Sequence, residues 1–137
     1  MAIDPNHMTL KRRSRELREV ATACQEEDTK ALLLFYAAEC VLKAVYMLRF
    51  SLRSTAHENA AAKPARHYAH CLDDLLIALR VSPSDCPARP GSIRLRNGDA
   101  IAVSQLHEAW RYGERVENHG DVVLWLNRVI AYAEART

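Results

Sequence analysis

The chain has 137 residues with a formal charge of +2, 49% apolar and 26% charged. That length holds one domain and one sizeable core, and the apolar share suffices to fill it. So mild a charge does not by itself argue for a nucleic-acid or membrane partner, so local clusters must carry any such reading.

The chain contains only 4 Gly and 5 Pro, and most of them fall between residues 83 and 98. Breakers therefore concentrate in one connection, long helices are free elsewhere, and an all-β fold is excluded. Four cysteines, Cys24, Cys40, Cys71 and Cys86, form no CxxC pair. They read as small buried hydrophobes of a reducing, cytoplasmic compartment, with a disulfide between two of them as the alternative. No charged, then apolar, then small layout of a signal peptide is present. Residues 1–7 read as an expression-tag remnant, a polar leader before Met8, which leaves 8–137 as a single domain.

In chain order, Leu10, Leu17, Val20, Ala21 and Cys24 line one face of a first helix over residues 9–25, with Thr9 as its N-cap. A second helix is expected over 28–52, capped by Asp28 and apolar on nearly every side. It is long enough to span a bilayer, but Glu39, Lys43 and Arg49 interrupt it at about 3 kcal/mol each on insertion scales. It is therefore read as the central helix of a bundle with no membrane partner, and Glu39 and Lys43, four apart, are expected to pair. Residues 53–66 have no apolar face and read as a mobile loop or frayed helix end. Leu72, Leu75, Leu76 and Leu79 define a third helix within 67–81, stopped by Pro83. Residues 82–102 form one long connection, in which Ile93, Leu95, Ile101 and Val103 flank an Arg-Asn-Gly-Asp signal for a short hairpin or tight turn.

Ser104 is the expected N-cap of a helix carrying Leu106, Trp110, Tyr112 and Val116, which Gly120 ends or kinks. Asp121 then caps a last helix with Val122, Leu126, Val129, Ile130 and Ala133 on its apolar face. The predicted fold is all-α, an antiparallel bundle of four to five helices with one long connection around 82–102.

The densest polar cluster runs from Trp110 to Asp121. On one continuous helix, Arg115 and His119 share a face, where a guanidinium can hold a phosphate and an imidazole can move a proton. The plainer reading makes Trp110 and Tyr112 core or rim aromatics and pairs Arg111 and Arg115 with Glu108 and Glu114. Lys11, Arg12, Arg13, Arg15 and Arg18 form a basic stretch able to touch an RNA backbone by charge, although Glu16 and Glu19 can neutralise Arg12 and Arg15. His67, His70 and Cys71, with Cys86 or His57, suggest a metal site but lack the second spaced pair that a tetrahedral centre needs, so no metal or other cofactor is expected. Phosphate-cradling Gly-rich loops, GxSxG elbows and HExxH helices are absent, which removes classical nucleotide hydrolysis, serine hydrolysis and zinc proteolysis.

Taken together, Phe35-Tyr36-Ala37-Ala38-Glu39-Cys40-Val41-Leu42-Lys43-Ala44, His70-Cys71-Leu72-Asp73-Asp74-Leu75-Leu76 and Trp110-Arg111-Tyr112 through His119 resemble the HEPN family of prokaryotic helical domains. The resemblance implies a helical bundle, commonly dimeric. Its members include metal-independent endoribonucleases of toxin-antitoxin, CRISPR-linked and antiviral defence systems, and non-catalytic relatives that bind a nucleotidyltransferase, a cognate antitoxin or a larger complex. It further implies His119 as general acid-base, Arg115 or Arg111 as phosphate clamp and Asn118 as an orienting group. Family nucleases place four to six residues between Arg and His. Here Arg115 and His119 are separated by three and Arg111 and His119 by seven, so the motif is degenerate. The alternative is a non-catalytic interaction or dimerisation module that binds a protein partner or nucleotide.

Overall fold

Helix α2 (Glu27–Arg49) is the axis of the computed structural model, which describes residues 3–137. Its buried side chains range from Ala31 and Leu34 to Tyr46 and Met47. A helix apolar around most of its circumference must be covered on several sides. Helices α1 (His7–Ala23), α3 (Leu72–Ala78), α4 (Leu106–Arg111) and α5 (His119–Glu134) supply that cover. The fold is an all-α bundle, and the connection over 82–102 is the long one. By length and composition α2 also passes as a membrane span, but here it packs against all four other helices.

The helix ends differ from the expected ones, for identifiable reasons. α1 begins at His7 with Asn6 as its N-cap, whose Oδ1 accepts from the Thr9 amide at 2.9 Å. Residues expected to be idle therefore enter the fold, and the Pro5 carbonyl accepts from the Thr55 amide. Val20, placed by periodicity on the apolar face, is exposed, whereas Ser14 is buried and donates to the Ala37 carbonyl at 2.7 Å. Glu26, not Asp28, caps α2 by accepting from the Asp28 and Thr29 amides, and the Thr29 side chain, followed by these amides, holds its carboxyl below the usual range.

The segment over 53–66 is an ordered loop. Asn59 closes a turn on Ala62 and donates to the Phe50 carbonyl, and the Arg66 amide reaches the Thr55 carbonyl. The third helix is split: a 3-10 turn, Ala65–Tyr68, precedes α3, and Ala69 between them has φ 46°. In the long connection, Arg94 bridges Ala100 across a turn closed by the Gly98 amide and the Leu95 carbonyl, so the tight turn is present, and Leu95 also bridges Val116. The α4 region departs furthest from expectation. A 3-10 turn, Val103–Gln105, leads into α4, which stops at Arg111, and Gly113 at φ 74° redirects the chain. Gly120 breaks nothing and lies inside α5, which starts at His119 instead of Asp121. The thiols are free, and only Cys86 is fully buried.

The Asn6 cap sets a test of whether the leader matters. Asn6→Ala is expected to lower unfolding free energy by about 1 kcal/mol in urea titration, the usual cost of an N-cap. An unchanged midpoint would show the α1 terminus to be frayed in solution.

Candidate active site

The break at Gly113 removes the helix on which Arg115 and His119 were expected to share a face. Arg115 lies in the loop between α4 and α5, exposed, 3.9 Å from the Asp28 carboxylate. His119 is the first residue of α5, and its Nδ1 accepts from Trp110 Nε1 at 3.2 Å. That bond leaves Nε2 as the protonated nitrogen of the neutral ring. Asn118 donates from Nδ2 to the Ser92 carbonyl at 2.9 Å, so it anchors the loop. Arg111 donates instead to the Tyr36 hydroxyl at 2.8 Å. Among the described residues no hydrogen bond or ion pair links His119 to Arg111, Arg115 or Asn118. Of the expected set, only Arg111 joins a larger constellation.

That constellation lies where α2, α3 and α4 meet. Tyr36, Glu39 and Lys43 are spaced three and four apart, so they share one stripe of α2. Lys43 approaches the Glu39 carboxylate at 3.8 Å, the expected pairing, and both side chains are mostly buried. The second carboxylate oxygen of Glu39 meets His70 Nδ1 at 2.5 Å. The split between the 3-10 turn and α3 explains how this is reached. With Ala69 in the left-handed region, His70 leaves the helical path just before α3 and faces α2.

Against His70 lies His107 of α4, with ring centroids 4.0 Å apart and the rings tilted, and Phe35 stacks on His107 at 5.7 Å while also lying 6.5 Å from His70. Arg111 follows His107 by four residues, on the same face of α4. Tyr36 therefore touches both ends of the site, lying 6.4 Å from the His70 ring and accepting from Arg111. The aromatic wall and the carboxylate fix His70 in place while leaving about two fifths of its side chain exposed.

His107 is only 5% exposed, and its Nδ1 has no hydrogen-bond partner. Burial pushes its imidazole below the ordinary value, and His70 and Arg111 add to this, while Glu108 and Glu39 oppose it. An orphaned buried imidazole nitrogen costs about 1–3 kcal/mol. Cys40, beside Glu39, is pushed up to about 11 by burial and then by the Glu39 charge, so its thiol is inert near neutrality.

The remaining expected residues lie elsewhere. Arg12 and Arg13 are exposed on α1 and approach Glu16 at 4.0 and 3.9 Å, while Arg15 has no ion-pair partner among the described residues. His57 Nδ1 accepts from the Arg53 amide. No group of three or more His, Cys, Asp or Glu side chains able to hold a metal occurs among the described residues.

Sequence reasoning passed over His107. The available signal was an imidazole embedded in Leu106-His107-Glu108-Ala109-Trp110, inside an apolar face and one turn before an arginine. No protein-family model, curated protein or solved structure matches this chain.

The depressed His107 value sets a pH dependence. The unfolded imidazole takes up a proton near pH 6.5, whereas the native ring resists it. Stability is therefore full above that value and is lost as pH falls below it, toward and through the lower native pKa. His107→Phe keeps the stack on Phe35, removes the orphaned nitrogen and is expected to raise stability by about 1 kcal/mol at pH 7. It should also flatten the fall of the urea midpoint between about pH 7 and pH 5. A destabilised variant with an unchanged pH slope would mean that His107 is hydrogen-bonded in solution.

Proposed function

We propose that this chain is a HEPN-like, metal-independent endoribonuclease domain of the cytoplasm, whose chemistry resides at the junction of α2, α3 and α4. The observation that carries this reading is the Glu39 carboxylate holding His70 Nδ1 while a guanidinium, Arg111, meets the same tyrosine that flanks His70. A carboxylate on one ring nitrogen fixes the tautomer and aims the other nitrogen outward for proton transfer.

The reaction this supports is transesterification within RNA. His70 Nε2 takes the proton of a ribose 2′ hydroxyl, the 2′ oxygen attacks phosphorus, and the bond to the 5′ oxygen breaks with a proton supplied by water. The products are a 2′,3′-cyclic phosphate and a 5′ hydroxyl. Arg111 is the phosphate clamp, since its planar donors match the charge that builds on the equatorial oxygens. Tyr36 holds Arg111, and His107 positions His70 from behind. This moves the acid-base role from His119 to His70 and retains Arg111 from the resemblance. The family likeness further supports a homodimer with an antitoxin, nucleotidyltransferase or defence complex as its cellular setting.

A second reading, a non-catalytic interaction module, is favoured by Tyr112. This side chain is 73% exposed and adjoins Arg111, as an anchor for a partner protein would be. Incubation with mixed single-stranded RNA in excess chelator separates the two. Cyclic-phosphate ends are expected from the wild type and from His119→Ala. His70→Ala and Arg111→Ala should each lose about 100-fold or more, in line with the loss of an acid-base group or an oxyanion donor. Cleavage abolished by His119→Ala but untouched by His70→Ala would return the chemistry to the α5 terminus. No cleavage by wild-type protein would favour the module.

A further inference from the structure

A second site flanks α3, and none of its lining residues belongs to the Glu39–His70 constellation. The last turn of α2, the 3-10 turn Ala65–Tyr68 and the end of α3 enclose a cleft of about 560 Å³. Its basic residues are Arg49, Lys63, His67 and Arg80, and no carboxylate lines it. Phe50 and Tyr68 form half-buried aromatic walls around Tyr46, which lies 4.9 Å from Phe50 and 5.1 Å from Tyr68 between ring centroids. Tyr46 is itself buried and donates to the Lys63 carbonyl at 2.7 Å, which ties the Lys63 backbone to the cleft floor.

Two features leave these cations available to a ligand. Arg49, Lys63 and Arg80 have no ion-pair partner among the described residues, in common with Arg15, Arg53 and Arg96 elsewhere on the surface, but here they line one cleft. The carbonyls that end α2 and α3 are largely satisfied without them, the Leu52 amide meeting the Met47 carbonyl and the Val81 amide the Leu76 carbonyl. Only Arg49 contributes there, with one donor to the Leu79 carbonyl at 2.8 Å. Arg80, moreover, occupies the position after α3 at φ 53°. Glycine is the usual residue at that left-handed position, so Arg80 stands at the cleft on a strained backbone.

We propose that this cleft binds a small aromatic phosphate monoester, its ring against the aromatic lining of Phe50 and Tyr68 and its dianion met by Arg80, Lys63 and Arg49. Several converging cations match a dianion better than a singly charged carboxylate, guanidinium forks suit phosphate geometry, and the volume falls within the range of small-molecule sites. The proposal is independent of the α2–α3–α4 chemistry, because the two sites share no side chain.

Phenyl phosphate is the probe, titrated calorimetrically into the full chain at low salt, with inorganic phosphate and benzoate as references. Phenyl phosphate should bind at least about tenfold more tightly than either, with affinity falling as salt rises. Arg80→Gly and Lys63→Gln should each weaken it about tenfold, the loss of one charge-assisted hydrogen bond. Arg80→Gly relieves the left-handed backbone, so its melting temperature should match or exceed that of the wild type, which separates lost binding from lost folding. Unchanged affinity in both variants, or no binding of phenyl phosphate at millimolar concentration, would overturn the site. Equal binding of inorganic phosphate would overturn the aromatic half of the assignment, and equal binding of benzoate would overturn the preference for a dianion.

Discussion

The burial of α2 governs the molecule. A helix of 23 residues with so few polar side chains cannot keep an open face in water without losing much of the apolar contribution that stabilises a small domain. Every other α-helix is therefore laid against it. Its polar exceptions are then constrained as well. Glu39 and Lys43, both mostly buried, cannot remain lone charges, and they persist only because they pair with each other and because Glu39 gains the His70 imidazole. Removing one member of such a buried set leaves an uncompensated charge, at about 3–5 kcal/mol. The carboxylate that orients the imidazole is thus also the one that neutralises the central helix.

Much of the fold was legible in the sequence, because it follows from periodicity. Val122, Leu126, Val129, Ile130 and Ala133 were expected on the inner face of α5, and all are buried. The Glu39–Lys43 pair followed from spacing alone. The illegible parts depend on contacts distant in sequence. Asn6 outranks Thr9 as a cap because Pro5 is itself held by Thr55, and Val20 loses its place to Ser14, whose hydroxyl finds a carbonyl across the α1–α2 interface.

The site was less legible, and for a specific reason. The reading of Arg115 and His119 as neighbours required a helix through Gly113, and that glycine sits at a left-handed φ that ends α4. Glycine is tolerated inside helices, as Gly120 shows within α5, so residue type alone did not reveal which of the two breaks the chain. His70 and Glu39 are 31 residues apart, and His107 stands a further 37 beyond His70. Their convergence follows from how α3 and α4 dock on α2, which no local pattern encodes.

The places where this chain departs from its own folding rules are therefore the informative ones. Most buried polar groups in a native protein find partners, yet His107 Nδ1 lacks one, on a ring packed against both Phe35 and His70. An isosteric phenyl ring would satisfy the packing without that cost. Left-handed backbone usually falls to glycine, yet Ser51, Ala69 and Arg80 adopt it, the first just past α2, the second just before His70 and the third past the end of α3. Each departure costs stability where an ordinary residue would serve the fold better, and strain of this kind concentrates at functional positions. Both flanks of α3 carry such a residue, one next to His70 of the proposed acid-base site and the other lining the basic cleft.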